Sequence, residues 1–340
     1  MGLLDWFKNR PAQFDPEGFS DAVVAQAIDK AVTLTNPRLK LLDSCEETLR
    51  QPVEKCIAYL RDKISVMPPP IPVSEANWAS EPVLRAFFAR APDLPVVLGR
   101  SRNLRTFFDK YADAEQASII LGMTYNERHV QAPSLQGDVV QRDIAQTVID
   151  FSVPRVRICG HTEPEIRRLL GVQSFEYLVA QAMTEISETR EGLRGLEDSR
   201  NLIRARLRLL QQQGPGLGSL FDAAPDSVEQ RQLETQLLEN ERQMEKYGSA
   251  QSVLEYELEC LRDVLENSEN YLRFETRQIR LSTLNVVLDE NSTDAAADVA
   301  FTMAILSGVP KVQRAFVTGC LTRGEMPQVK LDLANAERFL

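Results

Sequence analysis

The sequence predicts an α+β protein, mainly α with a small antiparallel β-sheet, from whose globular body a long antiparallel coiled-coil helical hairpin projects. Three observations predict it. Apolar residues follow a three-four alternation between residues 175 and 272, and a glycine-rich break divides that stretch. Runs of β-branched residues lie on either side of it, near residues 146–160 and 315–321.

From the N-terminus, residues 1–14 read as an amphipathic segment. Leu3, Leu4, Trp6 and Phe7 are its apolar residues, Lys8 and Arg10 lie at its end, and Pro11 closes it. Docking on its own domain is the plainer use of such a segment; a membrane-surface or partner anchor is the other. Residues 19–67 read as helical. Ser20 begins a helix carrying Val23, Val24, Ala27, Ile28 and Ala31, and Asn36-Pro37 ends it. A second stretch, Arg38 to Met67, is either kinked or divided at Pro52. Residues 68–79 begin with Pro68-Pro69-Pro70-Ile71-Pro72 and read as a stiff linker.

Residues 80–172 read as a mixed body. Ser80-Glu81-Pro82 starts a helix bearing Leu84, Phe87 and Phe88, and Leu104, Phe107 and Phe108 mark another near Asn103–Tyr111. Ser118–Tyr125 reads as a strand or a helix end. Residues 146–160, broken at Pro154, read as an antiparallel pair. The C-terminal segment, 286–340, returns the strand Ala315–Leu321 to that body. The sheet is therefore expected from residues 116–160 and 312–323, with a helical insertion between them.

The hairpin is assigned to residues 173–285, with its turn near 213–226. One seam reads Phe175, Val179, Ala182, Ile186, Thr189, Leu193, Leu196, Arg200, Ile203, Leu207 and Leu210. The other includes Leu233, Leu237, Asn240, Met244, Tyr247, Gln251, Leu254, Leu258, Leu261, Leu265, Ser268 and Leu272. One register places Leu207 opposite Leu233 and Ile203 opposite Leu237. It also matches the polar seam residues, Arg200 with Asn240 and Thr189 with Gln251. A slip of one heptad would bury Arg200 against an apolar residue, so these polar layers set the register. Arginines dominate the first arm and glutamates the second, which places Arg204 beside Glu234 and Glu241, and Arg190 beside Glu255. A parallel homodimeric coil is the competing arrangement.

Composition narrows the function. The chain has 340 residues and a formal net charge of −10, so nucleic acid is not an expected partner. Five cysteines, Cys45, Cys56, Cys159, Cys260 and Cys320, are widely spaced and form no CxxC, which points to free thiols in a reducing cytoplasm. No signal peptide or spanning segment is expected, and any membrane association would be peripheral, at an inner face, through residues 1–10. P-loop and G-x-S-x-G motifs are absent, no metal or cofactor is implied, and the two histidines, His129 and His161, lack metal-ligand spacing. Cys159-Gly160-His161, with Glu163 and Glu165 nearby, is the main candidate for a hidden active site. The expectation is a non-catalytic cytosolic scaffold or adaptor that contacts a protein partner at the tip of the hairpin, through Leu217, Leu220 and Phe221. Peripheral membrane docking through Leu3, Leu4, Trp6 and Phe7 is the first alternative. An enzyme with a site near Cys159 and His161 is the second.

Overall fold

The computed structural model describes residues 20–136, 139–212, 227–245, 250–289, 295–307 and 312–326. The N-terminal candidates Leu3, Leu4, Trp6 and Phe7 and the tip candidates Leu217, Leu220 and Phe221 lie outside the described residues. The fold mixes helices with an antiparallel sheet, and the chain divides into two compact units made from separated stretches.

The first unit comprises Met1–Gln13, Ile57–Phe175 and Ser268–Leu340. Its sheet contains β1 (Ile71–Pro72), β2 (Gln116–Gln136), β3 (Val139–Gly160), β4 (Leu272–Ser282), β5 (Ala296–Leu306) and β6 (Val312–Thr322). The order is β3-β2-β6-β5-β4, antiparallel throughout, with β1 added in parallel to β6. The sheet is thus larger than the small one expected. Residues 272–282, assigned above to the hairpin, form β4, and the apolar stretch 296–306 forms β5.

Residues 146–160 are not a hairpin of their own. They belong to one long strand, β3, paired along its length with β2. Pro154 is accommodated by a bulge: Gly122 pairs with Arg155 and Thr124 with Ser152, which leaves two β3 residues opposite one. Val153 there takes φ 53°, a left-handed value that marks local strain in a β-branched residue.

The outer strands of this order are also joined. After β4, the stretch 285–288 receives and gives hydrogen bonds on both sides. Ser282 N donates to Val286 O (2.9 Å) and Leu288 N to Arg280 O (2.9 Å) on the β4 side. Ile149 N donates to Asn285 O (2.9 Å) and Val287 N to Thr147 O (2.8 Å) on the β3 side. The ladder therefore closes into a ring, and closure removes sheet edges that would otherwise template pairing with other chains.

One face of the sheet carries Ile119, Leu121, Met123, Tyr125, Ile149, Phe151, Val299, Phe301, Met303, Ala315 and Val317. It packs against three short helices, α3 (Pro82–Phe87), α4 (Asp93–Arg100) and α5 (Arg102–Lys110). Phe87 stacks on Phe151 at 4.7 Å, and Phe301 meets Phe151 edge-on at 5.5 Å. Pro82 opens α3 as the sequence predicts, and the Ser101 hydroxyl caps α5 by accepting from Leu104 N (3.2 Å).

The proline-rich stretch is docked rather than free. Pro72 pairs with Cys320, Val73 N donates to Cys320 O (2.8 Å), and the Thr318 hydroxyl donates to Pro68 O (3.1 Å). Gly319 makes this approach possible, because a Cβ there would lie 2.4 Å from Val73 Cγ2.

The second unit comprises Phe14–Cys56 and Glu176–Asn267. It contains α1 (Asp21–Thr35), a 3-10 turn (Pro37–Leu41) and the beginning of α2 (Cys45–Ser65). It also holds most of α6 (Glu163–Gln212), then α7 (Ser227–Glu245) and α8 (Ala250–Glu266). α1 buries Val24, Ala27, Ile28, Ala31 and Val32, a single helical face. Ser20 stands at its cap position but uses its backbone carbonyl, not its hydroxyl. Pro52 does not divide α2, which runs unbroken through it. A four-residue helix, α9 (Ser268–Tyr271), returns the chain to the first unit.

Candidate functional site

The 50-residue helix α6 spans about 75 Å at 1.5 Å per residue. Its burial follows the predicted seam. Among the described side chains from Glu191 to Arg208, only Leu196, Arg200, Ile203 and Leu207 are not exposed. In α7, Leu233 and Asn240 are buried and Leu237 and Met244 half-buried, whereas Leu238 is 69% exposed. Leu207 and Leu233 keep 8% and 6% of their surface.

Contacts between α6 and α7 agree with these faces. Asn240 Nδ2 donates to Leu196 O (3.1 Å), and Arg204 pairs with Glu241 (2.7 Å), one of its two expected acidic neighbours. Arg200 Nε and Asn240 Oδ1 are both buried without a hydrogen-bond partner among the described residues. One is a donor and the other an acceptor, and both lie on the buried stripes of their helices. Buried polar groups without a partner cost stability.

Farther along, the expected match of Thr189 with Gln251 falls outside the described residues. The Thr189 hydroxyl lies 3.0 Å from the Tyr256 hydroxyl. Arg190 pairs with Glu257. Glu257 keeps only 1% of its surface and is met on both oxygens: Arg190 Nε donates to Oε1 (2.8 Å) and Asn36 Nδ2 to Oε2 (2.6 Å). Asn36 also accepts from Arg38 N (3.1 Å), so one side chain shapes the turn after α1 and locks α8 to it. Glu257 is one of the many glutamates of the second arm and lies off the seam. A carboxylate one position from the apolar Leu258 was the signal available, but sequence does not show that a third element covers it.

The Cys159-Gly160-His161 triplet is the junction from β3 to α6. Thr162 and Glu165 form a cap: the Thr162 hydroxyl accepts from Glu165 N (3.4 Å), and the Glu165 carboxylate accepts from His161 N (2.7 Å). The His161 ring is exposed and rests on Tyr111 (4.3 Å) and Phe107 (5.0 Å). Burial pushes the Cys159 thiol up to about 12, so it is a neutral thiol at physiological pH rather than a thiolate nucleophile. His129 lies 3.2 Å from the Thr147 hydroxyl on exposed strand surface.

Among the described residues, no group of three or more His, Cys, Asp or Glu side chains could hold a metal ion. A shallow, open hollow of about 410 Å³ in the second unit is bordered by Asp29, Lys40, Asp43, Cys45 and Glu46. Burial raises the Cys45 thiol above its ordinary value, and neighbouring Glu46 adds to the effect. None of the five cysteines forms a disulfide among the described residues. Among the described residues, no helix is long and apolar enough to cross a membrane. No family model, no curated protein and no solved structure matches the chain.

Proposed function

We propose that the chain is a non-catalytic scaffold or adaptor. Its α6, α7 and α8 form an intramolecular antiparallel coiled-coil hairpin that presents a protein-docking tip. The observation that carries this reading is the agreement between burial and the seam: Leu196, Arg200, Ile203 and Leu207 on α6, and Leu233, Leu237, Asn240 and Met244 on α7. The Arg204–Glu241 pair and the Asn240–Leu196 bond support the same alignment.

A helix pair of this kind exposes a long surface while burying only a narrow stripe, which suits reach and docking. The glycine-rich stretch 213–226, which the sequence reads as the turn, carries Leu217, Leu220 and Phe221 as the apolar residues of the proposed contact. The reading belongs to a reducing compartment such as the cytoplasm, in keeping with five cysteines that are widely spaced in sequence.

The test compares the full chain with a variant whose residues 214–226 are replaced by a short neutral turn. Both are used in mild crosslinking capture from native extract, beside a Leu217→Ser/Leu220→Ser/Phe221→Ser variant. A partner retained by the full chain and lost by both variants supports the reading. Undiminished capture by the triple variant removes the tip from it.

A further inference from the structure

Three arginines converge on one face of the sheet in the first unit. Arg155 of β3 pairs with Gly122 of β2, and Arg314 of β6 pairs with Thr124 of β2. Gly122 and Thr124 are two residues apart, so Arg155 and Arg314 project on the same side, flanking β2. Arg157 reaches the same place from the irregularity in β3, its Cγ 3.5 Å from where a Cβ on Gly122 would stand. Arg314 Nη1 donates to the Thr124 hydroxyl.

None of the three forms an ion pair among the described residues, although the chain carries a net charge of −10. Elsewhere on the same sheet the pattern is the reverse. Arg128 pairs with Asp150, Arg273 with Glu275, and Arg277 with Glu127 and Glu275. The lack of acidic partners is therefore local to the cluster. The groups are also close enough to repel: desolvation, and then the charges of Arg155 and Arg314, push Arg157 below the usual arginine range.

We propose that Arg155, Arg157 and Arg314, grouped around Gly122, form a binding site for a phosphate-type oxyanion. One guanidinium fork satisfies a carboxylate, which has two oxygens. Three forks arriving from two strands match a tetrahedral dianion, whose oxygens can be shared among them. The bound charge would also cancel the mutual repulsion. The site does not rest on the docking reading, since it uses strands and not the long helices. Its phosphate belongs either to a soluble ligand or to a lipid headgroup.

The test uses the full chain and inorganic phosphate. Thermal unfolding is compared in phosphate and in chloride at matched ionic strength, beside a phosphate titration followed by calorimetry. At roughly tenfold excess over the dissociation constant, phosphate raises Tm by about 2–4 °C. Arg157→Gln binds phosphate at least tenfold more weakly and melts higher than the parent chain in chloride, because a repelling charge is gone. Arg128→Gln, which removes a paired arginine on the same sheet, keeps the phosphate response. Flotation with phosphatidylcholine vesicles, with and without a phosphoinositide, separates the sources: lipid-dependent flotation that is lost in Arg157→Gln identifies a headgroup, and phosphate binding without flotation identifies a soluble ligand. Equal Tm in phosphate and chloride, with no heat of binding to the parent chain, overturns the site. A phosphate response unchanged in Arg157→Gln overturns it equally, and if that variant does not fold, the parent titration still decides.

Discussion

Individual side chains carry much of the fold's specificity. Gly319 is required because β1 crosses where a side chain would stand. Gly319→Ala is expected to cost about 1–3 kcal/mol, read as a lower midpoint in urea, since Val73 and the strand beneath it must move. Glu257 is the reverse case, a charge retained because it is fully met. Arg190→Ala strands a buried carboxylate and should cost about 2–4 kcal/mol. Glu257→Gln should cost only about 1 kcal/mol, because Arg190 is half exposed and water can solvate it. Cys159 gives a prediction in pH. Its thiol ionises near 12, so the alkylation rate at pH 8 should be about 10³-fold below that of an unperturbed cysteine. The rate should climb about tenfold per pH unit up to pH 11, followed by mass spectrometry of the labelled peptide. A plateau near pH 9 would contradict it. At this scale the sequence reading found the Arg204–Glu241 pair, because charge periodicity shows it, and missed Glu257, because its cover comes from Asn36 far away in the chain.

Among the elements, helices were more legible than strands. The buried stripe Leu196, Arg200, Ile203 and Leu207 of α6 was readable because the other described side chains from Glu191 to Arg208 are exposed. β4 was hidden by extending that seam through Leu272, although Leu272, Phe274 and Thr276 already alternate with charged residues. β5 carries no clean alternation, since Phe301, Thr302 and Met303 are all buried and both faces are covered there. The proline run looked like a spacer because its hydrogen bonds go to Thr318 and Cys320, which no local pattern predicts. The Arg200–Asn240 layer belongs to this scale as well. Asn240→Leu alone leaves Arg200 facing an apolar residue and should lower Tm. Arg200→Leu with Asn240→Leu should leave the chain at least as stable, while admitting pairings shifted by a heptad. Crosslinks between introduced cysteines in shifted positions would report that loss of register.

For the whole molecule, compactness does not follow chain order. Each compact unit is assembled from stretches that are not consecutive in the chain, and both α2 and α6 contribute to the two units. Pairings such as Gln116 with Thr322 and Ile71 with Gly319 tie the ends of the first unit together. Antiparallel pairing of α6 with α7 is the claim on which the docking function depends, and Ile203→Cys with Leu237→Cys tests it most directly. Under mild oxidation, the account predicts a disulfide between positions 203 and 237 within one chain, identified by peptide mass, with the protein remaining a monomer on a non-reducing gel. A covalent dimer joined at these positions, or no bond between them while a pair shifted by one heptad forms readily, would contradict the account.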